Sequence, residues 1–476
     1  MSRTLLSARW VIGHKGGRHV VHENGVVVIE GSRVLHVGRD FDGEVAQRVD
    51  YGEAVISPGF IDLDALSDLD TTILGYDNGP AWKAGRVWPE SYVARGPYEM
   101  YSTEELAFQK RFAFAQLIRN GITTALPIAS LFYRAWGETV AEFDAAAQAA
   151  EELGLRVYLG PAYRTGGQVT DEAGTIRAIY DEPRGLQGLE DAAAFATRID
   201  GTAGGRIRAM FAPDRIETCT EELLRRTQAL AAEMGAPVRQ HCCQSPTELR
   251  LVQEQHGTTP IDWLDRIGTL ESNWLLPHGT HASERDFALI AERGATLVHC
   301  PLVTARHGGL LRSFPACRAR GINIGLGTDT WPPDMILNMQ IGMMVARIAG
   351  SDALRSEEMF DAATLGGARA LGRTDLGLLA PGACADITVI DLGRTLQTPD
   401  PVQSLMTSAS GRDVRDVWID GRRVMADRRI PGCDETADMA RAQARFDALI
   451  AKYPDRTAGH PPVTEIFRPS YARSER

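Results

Sequence analysis

The sequence predicts an α/β fold, a closed (β/α)8 barrel of the TIM type that carries a small β-sandwich formed by both chain termini. Two observations predict this fold. Between residues 58 and 380, short apolar runs alternate with segments of helical periodicity, as in parallel sheets with crossover helices. Residues 1–57 and 381–430 instead alternate short β-type runs with turns, which indicates a composite sandwich. Residues 431–476 are predicted to form a C-terminal helical extension.

Eight apolar runs are candidate barrel strands, at residues 60–63, 123–127, 156–160, 206–212, 237–241, 274–278, 296–299 and 323–327. Eight parallel strands with crossover helices favour a closed barrel over an open sheet. Such a barrel places its chemistry at the carboxyl ends of the strands. Five of these runs end in or beside a histidine or an aspartate, namely Asp64, Asp214, His241, His278 and Asp329.

Composition excludes several functional classes. The formal net charge of −11 argues against a nucleic-acid partner. No apolar run approaches the roughly 20 residues of a membrane span, and the first residues do not resemble a signal peptide. We therefore expect a cytoplasmic protein with a small-molecule substrate and no membrane partner. The seven cysteines lack CxxC spacing and are expected to be reduced thiols.

Three strand ends in the second half of the barrel form a candidate metal site. His241, His278 and Asp329 offer two imidazoles and a carboxylate, a donor set that suits one divalent transition metal. Zinc is favoured, and cobalt, iron and manganese accept the same ligands. A metal lowers the pKa of its bound water towards neutrality, and a neighbouring carboxylate can accept the proton.

Motifs along most of the chain resemble the metal-dependent amidohydrolase superfamily, in particular its subgroup of triazine hydrolases and guanine deaminases. They are Pro58-Gly59-Phe60-Ile61-Asp62, Gln240-His241-Cys242-Cys243, Leu276-Pro277-His278-Gly279, Val298-His299-Cys300-Pro301-Leu302, Gly325-Leu326-Gly327-Thr328-Asp329, Ala363-Thr364-Leu365-Gly366-Gly367-Ala368-Arg369 and Asp416-Val417-Trp418-Ile419-Asp420-Gly421. The resemblance implies metal ligands at His241, His278 and Asp329, with Asp329 also accepting the proton. It further implies a symmetric homo-oligomer, a dimer or a tetramer.

The chain departs from the pattern of this superfamily at three places. Asp64 and Leu66 stand where the first strand usually carries a His-x-His pair; Asp64 could be a fourth ligand, whereas Leu66 cannot. Gln244 replaces the glutamate that moves protons in the deaminases, and an amide carries no titratable proton. Asp214 stands where the subgroup often has histidine. With these departures, the chain looks closest to phenylurea and molinate hydrolases.

Candidate substrate-binding residues lie around these strand ends. The aromatic-rich segment 68–101, which includes Trp82 and Trp88, would overhang the site and could bind a flat or apolar substrate. A segment folded on its own hydrophobic cluster is the alternative. Trp331 follows Asp329 closely, and Asp214 and His299 also lie at strand ends, where they could contact substrate or support the ligands.

We therefore expect a metal-dependent hydrolase of non-peptide C–N bonds in a small amide, urea or (thio)carbamate. Asp329 would be the general base, His278 could polarise the carbonyl, and Gln244 would orient the substrate. Two alternatives stay open. One is a deaminase or dechlorinase of a triazine-like or purine-like heterocycle, with proton transfer moved to another group. The other is a metal-free pseudo-enzyme that acts as a binding subunit.

Overall fold

The computed structural model describes residues 3–69, 87–128, 131–309, 311, 314–350 and 354–472. The strands of these ranges are β1 Arg3–Lys15, β2 Arg18–Glu30, β3 Arg33–Gly38, β4 Gln47–Asp50, β5 Ala54–Pro58, β6 Phe60–Leu66, β7 Trp88–Pro89, β8 Ile122–Ile128, β9 Arg156–Leu159, β10 Gly166–Thr170, β11 Ile176–Tyr180, β12 Ile207–Ala209, β13 Val238–Arg239, β14 Trp274–Pro277, β15 Thr296–His299, β16 Asn323–Leu326, β17 Ile387–Asp391, β18 Val414–Ile419 and β19 Arg422–Met425. The α-helices are Glu90–Arg95, Thr103–Arg119, Val140–Leu153, Glu182–Ile199, Thr202–Gly205, Glu221–Met234, Pro246–His256, Pro260–Arg266, Glu284–Arg293, Pro301–Arg306, Phe314–Ala319, Met335–Ile348, Ser356–Asp361, Gly367–Ala370, Pro401–Ser408, Glu435–Lys452 and Val463–Ile466. Among the helices of the described ranges, none has both the length and the apolar character that a membrane crossing requires.

Eight parallel strands form the central sheet, in the order β12-β9-β8-β6-β16-β15-β14-β13. Its two edges are joined by hydrogen bonds from the Phe211 amide to the Pro237 carbonyl and from the Arg239 amide to the Phe211 carbonyl, each 2.9 Å long. The edges of the sheet therefore meet, as they do in a closed barrel. All eight predicted strands are present. Several are shorter than predicted. In β13 and β14, for example, the regular hydrogen-bonded pairing ends before the histidines at residues 241 and 278.

Both chain ends contribute to a second sheet, in the order β19-β18-β17-β5-β1-β2-β3, with β4 paired to β1. The antiparallel pairing of β5 with β17 joins the first part of the chain to the last. The shared sheet agrees with the prediction that both termini build one unit. Its strands form one continuous hydrogen-bonded sheet, so the two packed sheets of a sandwich stay a prediction. The exact domain limits also stay a prediction.

A buried ion pair fastens the barrel to this terminal sheet. Arg156, the first residue of β9, donates from Nε to Asp386 Oδ2 at 2.9 Å and from Nη2 to Asp386 Oδ1 at 3.1 Å. Asp420 accepts a further bond from the same guanidinium at 3.3 Å. The side chains of Arg156 and Asp386 are only 3% and 4% exposed. Because the ion pair is bidentate and buried, it fixes the orientation of the terminal sheet relative to the barrel.

The C-terminal segment packs on the barrel. Helix Glu435–Lys452 buries Phe446 and Leu449 in a cluster shared with Phe108 and Phe112 of helix Thr103–Arg119. After this helix, the fully buried guanidinium of Arg456 lies 5.2–5.9 Å from the ring centroids of Trp88, Tyr92, Phe132 and Tyr133. A cation among aromatic faces is attracted by each ring, so Arg456 anchors the end of the chain near the barrel mouth.

We expect Arg156→Met to lower the free energy of unfolding by about 3–5 kcal/mol, because Asp386 is then buried without its cation. Urea denaturation measures the change. The control is Arg225→Met, which removes an ion pair with Glu221 whose side chains are 52% exposed. That change should stay within about 0.5 kcal/mol. An equal loss in both variants would contradict the fastening role of Arg156.

Candidate functional site

The ends of β13, β14 and β16 bring the three predicted ligands together. The rings of His241 and His278 stack with centroids 5.3 Å apart and planes 19° apart. Nε2 of His278 lies 3.9 Å from Oδ2 of Asp329. The three residues are 8%, 1% and 5% exposed. His278 therefore lies between the other two predicted ligands: ligand atoms within 4.8 Å of one another form two sets that share His278, one with Asp64 and His241 and one with Cys300 and Asp329.

Two of these residues have a backbone conformation that only glycine adopts without strain. The φ angles are 78° at His278 and 56° at Asp329, and such a conformation costs roughly 1–2 kcal/mol for other residues. Hydrogen bonds to neighbouring strands hold both, from the His278 amide to the Val298 carbonyl and from the Asp329 amide to the Asp64 carbonyl, each 2.8 Å long. Strain of this kind concentrates at functional sites, where it aims a side chain that regular strand geometry would direct elsewhere.

Asp64 joins this group from β6 and is paired with an arginine. Its Oδ1 accepts a 2.6 Å hydrogen bond from Nη1 of Arg239, and its Oδ2 lies 3.8 Å from Nε2 of His241. Sequence reasoning missed Arg239, although it ends β13 and lies only two residues before His241. Leu66 belongs to the apolar cluster of Phe114 on helix Thr103–Arg119 and takes no part in the site.

Cys300 is a second residue that sequence reasoning missed. Its Sγ lies 3.6 Å from Oδ2 of Asp64. A side chain at Gly327 would collide with both, since its Cβ would lie 2.5 Å from Cβ of Asp64 and 3.0 Å from Sγ of Cys300. The glycine therefore leaves the space in which the carboxylate and the thiol meet.

Burial determines the protonation states of Asp329, His278 and His241. It raises the pKa of Asp329 well above its usual value, and the neighbouring carboxylates of Asp64 and Asp62 add to the rise. Burial also lowers the pKa of His278 and of His241 well below that of a free imidazole. Both rings are therefore neutral at physiological pH, with lone pairs to offer. Within the described residues, neither ring nitrogen of His278 has a hydrogen-bond partner.

A cavity of about 450 Å³ opens above the group. Predicted site residues that line it are Trp88, Asp214, His241, Gln244 and Asp329. Its wall also contains Arg164, Arg215 and Tyr453, none of which was predicted. Tyr453 follows the C-terminal helix, so its place in the wall becomes visible only when the chain is folded. Trp82 lies outside the described residues.

His299 and Trp331 are not among the residues that line the cavity. His299 alternates along β15 with Val298 and Cys300, which face the barrel interior, so its ring points outward and lies 5.6 Å from that of Phe314. Trp331 stacks on Phe112 with centroids 5.9 Å apart. As placed, these two side chains support the site from outside the cavity instead of forming its wall.

Trp88 belongs both to the cavity wall and to a local aromatic cluster. Its ring centroid lies 5.7 Å from that of Tyr92 and 6.4 Å from that of Trp136, and its Nε1 donates to the Phe132 carbonyl at 3.0 Å. The guanidinium of Arg164 lies 4.8 Å from the same ring. The described part of segment 68–101 therefore packs in a cluster shared with Trp136 and Phe132 and still presents Trp88 to the cavity.

Gln244 faces the cavity above a buried carboxyl. Its Oε1 is buried without a hydrogen-bond partner within the described residues. The backbone amides of Gln244 and Cys243 both donate to the carboxyl of Glu248. Glu248 is fully buried, and burial raises its pKa to about 8. Ser245 caps helix Pro246–His256 by accepting a hydrogen bond from the Glu248 amide, and Glu248 does not line the cavity. It therefore holds the loop of Gln244 in place.

Asp214 is a titratable carboxyl in the cavity wall. Its Oδ2 lies 3.8 Å from Nη1 of Arg164, longer than a hydrogen bond. Burial raises the pKa of Asp214, although the guanidinium of Arg164 opposes the rise. The cavity wall thus carries two carboxyls with raised pKa values, Asp214 and Asp329.

Known proteins resemble this chain over nearly its whole length. A 5-methylthioadenosine/S-adenosylhomocysteine deaminase of Pelotomaculum thermopropionicum is 29% identical over 467 residues, which cover 94% of this chain and 99% of that protein. The structure is similar to that of an adenosine deaminase from Xanthomonas campestris with bound zinc, with a TM-score of 0.76 and 22% identity over 94% of this chain and 98% of that one.

It is also similar to a variant of the atrazine chlorohydrolase of Arthrobacter aurescens complexed with zinc and atraton, with a TM-score of 0.79 and 20% identity over 93% of this chain and all of that one. The Amidohydrolase family model matches residues 55–424, which include every strand of the barrel. The chain therefore belongs to the Amidohydrolase family and is a hydrolase of carbon–nitrogen bonds other than peptide bonds.

Proposed function

We propose that this protein is a metal-dependent deaminase that releases ammonia from the 6-amino group of an adenosine-type nucleoside, such as 5-methylthioadenosine or S-adenosylhomocysteine. The full-length similarity to a deaminase of these two compounds supports the substrate class. The observation that carries the reaction is Asp214, a carboxyl of raised pKa in the cavity wall. It can supply the proton that Gln244 cannot. A volume of about 450 Å³ suits a small ligand of this kind.

The residues fit a divalent cation. Asp64 and Asp329 lie close enough in one buried volume for Asp64 to raise the pKa of Asp329, Arg239 pairs with Asp64, and the two imidazoles are neutral. Ligand atoms of Asp64, His241 and His278 all lie within 4.8 Å of one another. We propose that His241, His278 and Asp329 hold one ion, with zinc favoured and Asp64 Oδ2 as a further ligand. Such an ion supplies a water nucleophile at neutral pH.

The side chains of the cavity carry the proton transfers. Asp329 accepts the proton of the attacking water and passes it to the amino group, which leaves as ammonia. Asp214 protonates a ring nitrogen of the purine, which makes the ring a better electrophile and prepares the amino group to leave. The unpartnered Oε1 of Gln244 accepts a hydrogen bond from the amino group of the substrate and orients it.

Hydrolysis of a small amide, urea or (thio)carbamate is a second candidate, and Gln244 favours it. Hydrolysis of such a bond needs one activated water and one base, which Asp329 provides, and no separate acid at position 244. In that reaction His278 could polarise the carbonyl, and Asp214 would bind the substrate and donate no proton.

We expect the zinc-loaded protein to release ammonia from 5-methylthioadenosine, S-adenosylhomocysteine or adenosine. The reaction is followed by the change in ultraviolet absorbance as the adenine base becomes hypoxanthine. Asp329→Asn and His241→Ala should each lower kcat/KM by about 10²–10⁴-fold. Turnover of ureas or carbamates without ammonia from nucleosides would overturn deamination in favour of the second candidate. Absence of both activities and of metal in elemental analysis would indicate a binding subunit.

If Asp214 is the acid, kcat/KM for deamination should fall as pH rises through its raised pKa, because only the protonated carboxyl can donate. Asp214→Asn should lower kcat/KM by about 10²-fold and remove this alkaline limb. The control is Asp361→Asn, a carboxyl outside the cavity wall whose pKa is also raised by burial. An unchanged pH profile in Asp214→Asn would contradict the assignment.

The Asp64–Arg239 pair can be tested without metal. Arg239→Met and Asp64→Leu should each cost about 3–5 kcal/mol in the free energy of unfolding, because each leaves the opposite charge buried and unpaired. The double variant should cost about 1–3 kcal/mol less than the sum. Urea denaturation measures the cycle. The half-exposed pair Arg250 and Glu254 is the control, with a coupling of about 0.3–0.5 kcal/mol expected. Additive losses would rule out direct pairing.

A further inference from the structure

We propose that Cys300 is a thiolate ligand of the metal, taking the place left by the missing histidine pair of the first strand. The proposal rests on the metal site proposed above and adds a ligand that the motifs do not assign. The fully buried Sγ of Cys300 follows β15, 3.6 Å from Oδ2 of Asp64 and in one set of close ligand atoms with His278 and Asp329.

The distances around Cys300 are close to those of a coordination shell. Ligand atoms of His278, Cys300 and Asp329 all lie within 4.8 Å of one another. Neighbouring ligand atoms of a tetrahedral zinc site, with Zn–S near 2.3 Å and Zn–N or Zn–O near 2.0 Å, are separated by roughly 3.3–3.6 Å. The thiol of Cys300 lies 3.6 Å from Asp64 Oδ2, and the His278–Asp329 separation is 3.9 Å.

A second observation points to a ligand at the same place. His278 is only 1% exposed, and neither of its ring nitrogens has a hydrogen-bond partner within the described residues. An imidazole buried in this way loses its hydration without compensation unless something binds it. The thiol and this imidazole belong to the same cluster of close ligand atoms, so one ion would satisfy both.

Binding of a metal by a thiol is accompanied by deprotonation. The proton of Cys300 passes to solvent, and a sulfur lone pair forms the bond to the metal. The thiolate thereby supplies a negative charge that a histidine pair would not.

Cobalt(II) substitution tests the proposal independently of activity. The full-length protein is freed of metal, loaded with one equivalent of cobalt and examined by absorption spectroscopy. We expect a near-ultraviolet thiolate-to-cobalt charge-transfer band in the wild type and its loss in Cys300→Ser. Competition with a chelator should show affinity weakened by at least about tenfold in that variant.

Cys384→Ser is the matched control, because Cys384 is also buried against a carboxylate, with its Sγ 3.3 Å from Asp375 Oδ2. It should keep both the band and the affinity. Cobalt bound by the wild type without the band, or a band that survives in Cys300→Ser, would overturn the thiolate ligand and leave the rest of the metal site standing. Failure of the wild type to bind cobalt would overturn both. Absence of the band in the cobalt-bound wild type overturns the ligand without any variant, so a poorly folded variant does not block this arm of the test.

Discussion

The contact between Arg239 and Asp64 is the constraint on which the site depends. A carboxylate with no exposed surface inside a barrel is tolerated only with a partner, and the 2.6 Å bond from Arg239 provides one. This bond occupies Oδ1 and leaves Oδ2 facing His241 and Cys300. Since His241 follows Arg239 by two residues at the end of β13, the ion pair and the imidazole ligand are positioned together. The pair therefore sets both the charge and the geometry of the candidate metal centre.

The strand pattern and the strand-end residues could be predicted from the sequence, since both follow from local periodicity and from the rule that barrel chemistry lies at carboxyl ends. That rule predicted that His241, His278 and Asp329 would meet. The partners of these residues could not be found in this way. Cys300 is separated from Asp64 by 236 positions, and nothing local in the sequence indicates their contact. For His299 the difficulty is its direction. Side chains alternate between the two faces of a strand, so a strand boundary that is uncertain by one residue does not tell whether the histidine points into the barrel or out of it.

The C-terminal segment has a role in the cavity that its position in the chain does not suggest. The family match ends at residue 424, yet Tyr453 lines the cavity and Arg456 is buried among four aromatic rings. One of these rings is Trp88, itself part of the cavity wall. The segment after the matched region is thus packed directly against the substrate wall. Sequence differences there can change the shape of the cavity without touching the ligands.

The choice between deamination and simple hydrolysis depends on which side chain of the cavity can donate a proton to the substrate. Gln244 cannot hold one, and the carboxyl beneath it, Glu248, is saturated by backbone amides and turned away from the cavity. Asp214 is paired more loosely, since its contact with Arg164 is 3.8 Å long, and burial raises its pKa although the Arg215 backbone amide and guanidinium oppose the rise. A carboxyl that is desolvated but only loosely paired retains its proton to higher pH. The loss of an acid at position 244 is therefore compatible with deamination, because a second acid lies in the same cavity wall.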